Sequence, residues 1–101
     1  MREFLEWNYT KIHKRVKYEY LRSDYLGNHA VYAFNENDIL IAYLHWLGGK
    51  IINVNVVDKW RRQGIATRLY ELASQKSGNR LEHSADLTVE GAGWVRSLQD
   101  N

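Results

Sequence analysis

Val54-Asn55-Val56-Val57-Asp58-Lys59-Trp60-Arg61-Arg62-Gln63-Gly64-Ile65-Ala66-Thr67-Arg68-Leu69 reads as a strand that runs into a loop and opens a helix at a glycine. Before the loop, Ile52, Val54 and Val56 alternate with Asn53 and Asn55, the period of a strand with one apolar face. After it, Ile65, Leu69, Leu72 and Ala73 recur at helical spacing, and Ser77-Gly78-Asn79 supplies a glycine stop signal. A helix opened this way presents unpaired N–H groups in its first turn, and its dipole adds positive potential there. Such a corner binds phosphate, because main chain alone can hold much of the anion. Gly64 lets that backbone approach a bulky group; Arg61, Arg62 and Arg68 add charge, and Thr67 adds a hydroxyl donor. The plain structural alternative is a glycine that only relieves a tight turn.

The order strand, R-x-x-G-x-A, helix resembles the acetyl-CoA signature of the GNAT superfamily of N-acetyltransferases, [Q/R]-x-x-G-x-[G/A], with Arg61, Gly64 and Ala66 at its defining positions. A His83-Ser84 segment followed by Thr88, Gly91 and Trp94 is similar to the pattern of short bacterial and phage members. The resemblance covers roughly residues 14 to 98. It implies an α+β fold, a GNAT-like mixed and mostly antiparallel central sheet flanked by helices, within a single domain of residues 1 to 101. It further implies that Val54, Asn55 and Val56 bind pantetheine by main chain, and that Arg62, Gln63, Gly64, Ile65, Ala66 and Thr67 bind the pyrophosphate of acetyl-CoA. Most members continue past the last helix into a hairpin, and this chain ends at Asn101 without one. On this reading the fold is truncated at the C-terminus, and the missing part of the acceptor pocket is either absent or supplied by a partner chain, as in a homodimer.

The remaining chain fits that order. Lys14 to Arg22 reads as a strand, residues 23 to 28 as a loop, and His29 to Phe34 as a strand with Ala30, Tyr32 and Phe34 on one face. Asn35-Glu36-Asn37-Asp38 is a turn by composition. The apolar run Ile39 to Trp46 predicts a strand buried on both faces near the sheet centre. Gly48-Gly49 marks a hairpin into Lys50 to Val57, and residues 80 to 84 form a last strand, parallel to it across the helix. Residues 1 to 10 suit either an extra strand or a helical turn.

Acetyl transfer to an amine needs a base, since an amine with a solution pKa near 10 is mostly charged at neutral pH. In the superfamily a glutamate stands either at the start of the strand before the loop or on the strand after the helix. The first position corresponds to Lys50, which in its charged form cannot serve. The second is Glu82, beside His83, which titrates near neutrality; the two point to opposite faces of a regular strand. A solvent-facing strand end is the structural alternative for both. His45 and His29 are weaker candidates, expected to be satisfied within the sheet or exposed at its ends. The family's tyrosine acid is missing from the last helix, where Trp94 stands near its place; Ser84, Thr88 or water is left for that role, or the thiolate leaves without help. Gly91 and Gly93 in that helix suit a close approach to the pantetheine arm or a poorly formed helix.

Composition bounds the function classes. A chain of 101 residues with 45% hydrophobic and 26% charged residues is one globular domain. No apolar run reaches the roughly 20 residues that span a bilayer, and Met1 to Glu6 lacks a signal-peptide core, so a cytoplasmic, non-membrane protein is expected. The absence of cysteine removes disulfides, thiolate metal sites and an acyl-cysteine intermediate. Acyl transfer should therefore be direct, and no metal is expected. A net charge of +2 does not announce a nucleic-acid protein. Lys11, Lys14, Arg15 and Lys17 among Tyr9, Tyr18 and Tyr20 nevertheless form a short basic and aromatic cluster. Three functions follow as expectations: an acetyl-CoA-dependent N-acetyltransferase acting on a primary amine of a protein or small molecule, a CoA-binding or inhibitory module without turnover, and a GNAT-fold protein acting on nucleic acid through that cluster.

Overall fold

The computed structural model describes residues 2–22 and 27–83. It is an α+β domain built on one sheet in the order β1-β2-β3-β4-β5-β6. The strands are β1 (Arg2–Tyr9), β2 (Arg15–Arg22), β3 (His29–Phe34), β4 (Leu40–Leu47), β5 (Lys50–Val56) and β6 (Glu82–His83). The first five pair antiparallel, and β6 joins β5 in parallel. Helix α1 (Ile65–Ser77) follows β5 and is the one α-helix among the described residues. The last helix expected at residues 88 to 98 lies outside them.

Each junction has a local cause. Gly48 and Gly49 both take positive φ, at 57° and 82°, which gives the β4–β5 hairpin the twist that two-residue turns need. In the β3–β4 turn the side-chain Oδ1 of Asn35 accepts from the N–H groups of Asn37 and Ile39, so an asparagine replaces backbone partners there. At the other end of α1, Gly78 closes the helix at φ 80°, its N–H donating to the Ser74 carbonyl.

Helix α1 lies on one face of the sheet, over β4, β3 and β5, and buries Ile65, Leu69, Leu72 and Ala73 against Val31, Ala33, Ala42, Leu44, Trp46, Ile51 and Val54. One expectation fails here. Ile52 does not join Val54 on the core face; it is 42% exposed, and Ile51 is fully buried instead. In the β4–β5 ladder Asn53 opposes His45 while Ile51 opposes Trp46, so Ile52 is the extra residue of a bulge. A bulge shifts the face of everything before it by one residue. Likewise Ile39 and Leu40, expected to be buried on both faces, are exposed at the strand's start, and burial is confined to the middle of β4.

Residues 2 to 9, which the sequence left open between strand and helical turn, form an edge strand. Two long-range ion pairs attach it to α1, from Lys76 to Glu3 (2.6 Å) and from Arg68 to Glu6. No described helix is long and apolar enough to cross a membrane.

Candidate functional site

The strand-loop-helix corner forms where expected. After β5 the chain makes a short 3₁₀ turn, Asp58–Trp60, then reaches Gly64, the N-cap of α1, at φ 84°. No side chain caps this helix and no acidic residue stands in its first turn. The first bond inward is Arg68 N–H to the Gly64 carbonyl (3.1 Å), so the N–H groups of Ile65, Ala66 and Thr67 lie ahead of the intrahelical ladder. Among the described residues beyond its chain neighbours, a Cβ built on Gly64 meets no atom within 4 Å, so space is open beside the glycine. Arg62 also takes a positive φ, 63°, which costs a non-glycine residue about 1–2 kcal/mol. Left-handed residues at 62 and 64 bend the loop around the helix end.

The three arginines do not act alike. Arg61 turns back on its own loop, with Nε donating to the Val56 carbonyl (3.2 Å) and Nη2 pairing with Asp58 (3.0 Å). Arg68 is committed underneath the helix: its Nε donates to Glu6 Oε2 (2.9 Å), Nη2 pairs with the same carboxylate, and Nη1 pairs with Glu71 (2.6 Å). These carboxylates raise the Arg68 pKa, so its charge is permanent but already neutralised. The expectation that Arg61 and Arg68 lend free charge to a phosphate is thereby corrected. Arg62 is exposed and makes no ion pair with a described residue. Gln63 closes the loop internally, Nε2 reaching the Arg61 carbonyl at 3.5 Å, while its buried Oε1 has no partner among the described residues.

Val54, Asn55 and Val56 lie on β5, which pairs with β4 along its length. On its other side β6 pairs only at Lys50 (with Glu82) and Ile51 (with His83). From Ile52 to Val56 that outer edge has no strand partner among the described residues. Glu82 is exposed, its N–H donating to the Gly49 carbonyl (2.9 Å), and it stands in register with Lys50. The Tyr70 hydroxyl fixes the approach to β6 by donating to the Leu81 carbonyl (3.3 Å) and accepting from Arg80 Nε (3.0 Å). Ser84 lies outside the described residues, and His83 is placed by its backbone register alone.

The face of the sheet opposite α1 carries a cluster that the sequence reading undervalued. His45 packs against Tyr43 (ring centroids 4.8 Å apart) and edge-on to Tyr32 (5.7 Å), and Asn53 Nδ2 donates to the Tyr43 hydroxyl (3.4 Å). His45 was expected to be satisfied or exposed, yet its Nε2 is buried with no hydrogen-bond partner among the described residues. Burial lowers its pKa, which keeps the ring neutral. The alternation of residues 43, 45, 53 and 55 could have shown this shared face; the lack of a partner could not be read from spacing.

The basic cluster is dispersed. Arg15 lies over the Trp7 ring (4.0 Å to centroid), Lys17 pairs with Asp38 (2.7 Å), and Lys11 and Lys14 are exposed in the β1–β2 turn. No group of His, Asp or Glu among the described residues is arranged to hold a metal ion. No family model matches the chain, and neither a curated protein nor a solved structure does.

Proposed function

We propose that this chain is an acetyl-CoA-dependent N-acetyltransferase of GNAT type that moves an acetyl group directly to a primary amine of a protein or small molecule. The supporting observation is the N-terminus of α1, with no side-chain cap and no acidic residue in its first turn, entered through Gly64 next to a strand edge that lacks a strand partner among the described residues. The helix end suits a pyrophosphate: the N–H groups of residues 65 to 67 lie ahead of the helix's own hydrogen-bond ladder, and Arg62 adds charge that pairs with no described carboxylate. The outer edge of β5 suits an amide-bearing arm, since from Ile52 to Asn55 no described strand pairs with it, while at Val56 the carbonyl is taken by Arg61 Nε. That edge runs back from the helix end to Ile51, where it meets β6 at His83, with Glu82 one residue further on opposite Lys50.

Acetyl-CoA, when bound, supplies a thioester whose carbonyl carbon accepts an amine nitrogen and whose leaving group is a thiolate. The chain's part is to orient and to move protons. Glu82 takes a proton from the incoming ammonium, directly or through water, before nitrogen attacks. Ser84 or water would relay the second proton, shed by the attacking nitrogen, to the leaving sulfur, so that Glu82 ends protonated, the relay is restored, CoA leaves as the thiol and the product amide is neutral. The nearest second reading is a CoA-binding module without turnover, favoured by Lys50 in register with Glu82 where a carboxylate would strengthen the base.

The test combines two measurements on the whole chain. Acetyl-CoA should raise the melting temperature, and free CoA should appear when polyamine, peptide or aminoglycoside amines are added. Stabilisation without CoA release from any acceptor selects the binding module; no stabilisation at millimolar acetyl-CoA removes both readings.

A further inference from the structure

Strand β1 is the edge of the sheet, and no described residue pairs with its outer side. Natural edges are blunted by proline, lysine or short length. This one is eight residues long with neither proline nor lysine, and it exposes Phe4 (53%), Trp7 (36%) and Tyr9 (69%). Its inward carboxylates, Glu3 and Glu6, are already taken by Lys76 and Arg68.

We propose that two copies of this chain associate through β1, antiparallel to its own counterpart, so that the sheet continues across a two-fold axis between Leu5 and Glu6. The bulge in β1 is what permits this. Full overlap of Arg2–Tyr9 with itself sets Arg2 opposite Tyr9 and Phe4 opposite Trp7 of the second copy. In a regular strand those partners would point to opposite faces and could not share a ladder position. Here Phe4 opposes Glu19 and Glu6 opposes Tyr18, so Leu5 is an extra residue and the faces shift by one. Arg2, Phe4, Trp7 and Tyr9 consequently oppose Leu21, Glu19, Lys17 and Arg15, alternate residues on one face of β2.

The full-overlap register also sets no like charges opposite each other: Arg2, whose guanidinium pairs with Glu19 (2.7 Å), comes opposite Tyr9, Phe4 opposite Trp7, which already carries Arg15 over its ring, and Glu3 opposite Asn8. The Tyr9 N–H, which now donates to Asn8 Oδ1 (2.8 Å), would be released to the partner strand.

The chain has no cysteine, which makes the register directly testable. Phe4→Cys chains mixed with Trp7→Cys chains and bridged by oxidation or a short bis-maleimide should give the mixed dimer in large excess over either homodimer. Light scattering over a concentration series should show twice the 11.9 kDa chain mass. Phe4→Asp, at an exposed position outside the core, should weaken association about tenfold, since the two-fold makes the change count twice. Circular dichroism of each variant separates loss of association from loss of fold. A wild-type protein that stays monomeric to its solubility limit overturns the proposal, as does a dimer in which positions 4 and 7 fail to cross-link preferentially.

Discussion

Gly64 has a backbone role set by its left-handed conformation and a proposed role toward the pyrophosphate of acetyl-CoA, and a pair of substitutions can separate the two. At φ 84° an alanine pays about 1–2 kcal/mol for the left-handed conformation. Its Cβ would touch no protein atom within 4 Å, so no packing cost is added. For a domain of this size each kcal/mol moves the melting temperature by roughly 4–8 °C. Gly64→Ala should therefore melt roughly 4–16 °C lower than wild type and stay folded. Acetyl-CoA at about ten times its Kd would add about 1.4 kcal/mol, a rise of roughly 6–11 °C, to the wild-type protein. The added methyl group occupies the space where backbone and anion meet, so Gly64→Ala should keep less than half of that rise. Gly64→Glu should lose it entirely, because it puts a carboxylate beside the pyrophosphate. A negative charge at a helix N-terminus favours the helix itself, which helps this variant remain folded for the measurement. Differential scanning fluorimetry with and without acetyl-CoA reads all three proteins. A Gly64→Glu protein stabilised as much as wild type would refute the phosphate role of this corner.

Other consequences can be measured on the same protein. Arg62→Ala should weaken acetyl-CoA binding, whereas Arg68→Ala should leave affinity nearly unchanged and cost on the order of 1–2 kcal/mol of stability by stranding Glu6 and Glu71, a contrast that titration calorimetry and denaturant unfolding resolve. Leu69, fully buried in the core, should cost about 2–5 kcal/mol on truncation to alanine in urea unfolding; a loss below about 0.5 kcal/mol would contradict the packing of α1. Glu82→Gln should slow acetyl transfer by roughly 10² to 10⁴ at neutral pH, with the deficit shrinking at high pH where the amine is already deprotonated, and His83→Ala should have the smaller effect. Because burial depresses the His45 pKa, the unfolded chain binds the extra proton: the contribution is complete above the ordinary value of about 6.5 and is lost as pH falls from there through the folded pKa. The melting temperature of His45→Gln should accordingly fall less steeply than that of wild type as the pH is lowered from 7 to 5.

How far the sequence speaks depends on the range of the interactions involved. Helix α1, its stop at Gly78, the Gly48-Gly49 hairpin, the turn at Asn35 and the parallel placement of the last strand follow from patterns a few residues long, because i,i+4 spacing, alternation and left-handed glycines act locally. The corner at Gly64 was legible for the same reason. Its electrostatics were not: Arg61 and Arg68 look identical to Arg62 in the chain, and only folding brings Glu6, 62 residues away, under Arg68. The bulges at Leu5 and Ile52 are likewise decided by pairing between strands, so Ile51 rather than Ile52 reaches the core. The extended form of residues 2 to 9 rests on β2 and on two ion pairs to α1, and the solitary Nε2 of His45 on tyrosines from two strands. Local chemistry thus determined the elements and the strand-loop-helix corner at Gly64, whereas which charges are paired and which face each residue takes were decided by contacts between segments distant in the chain.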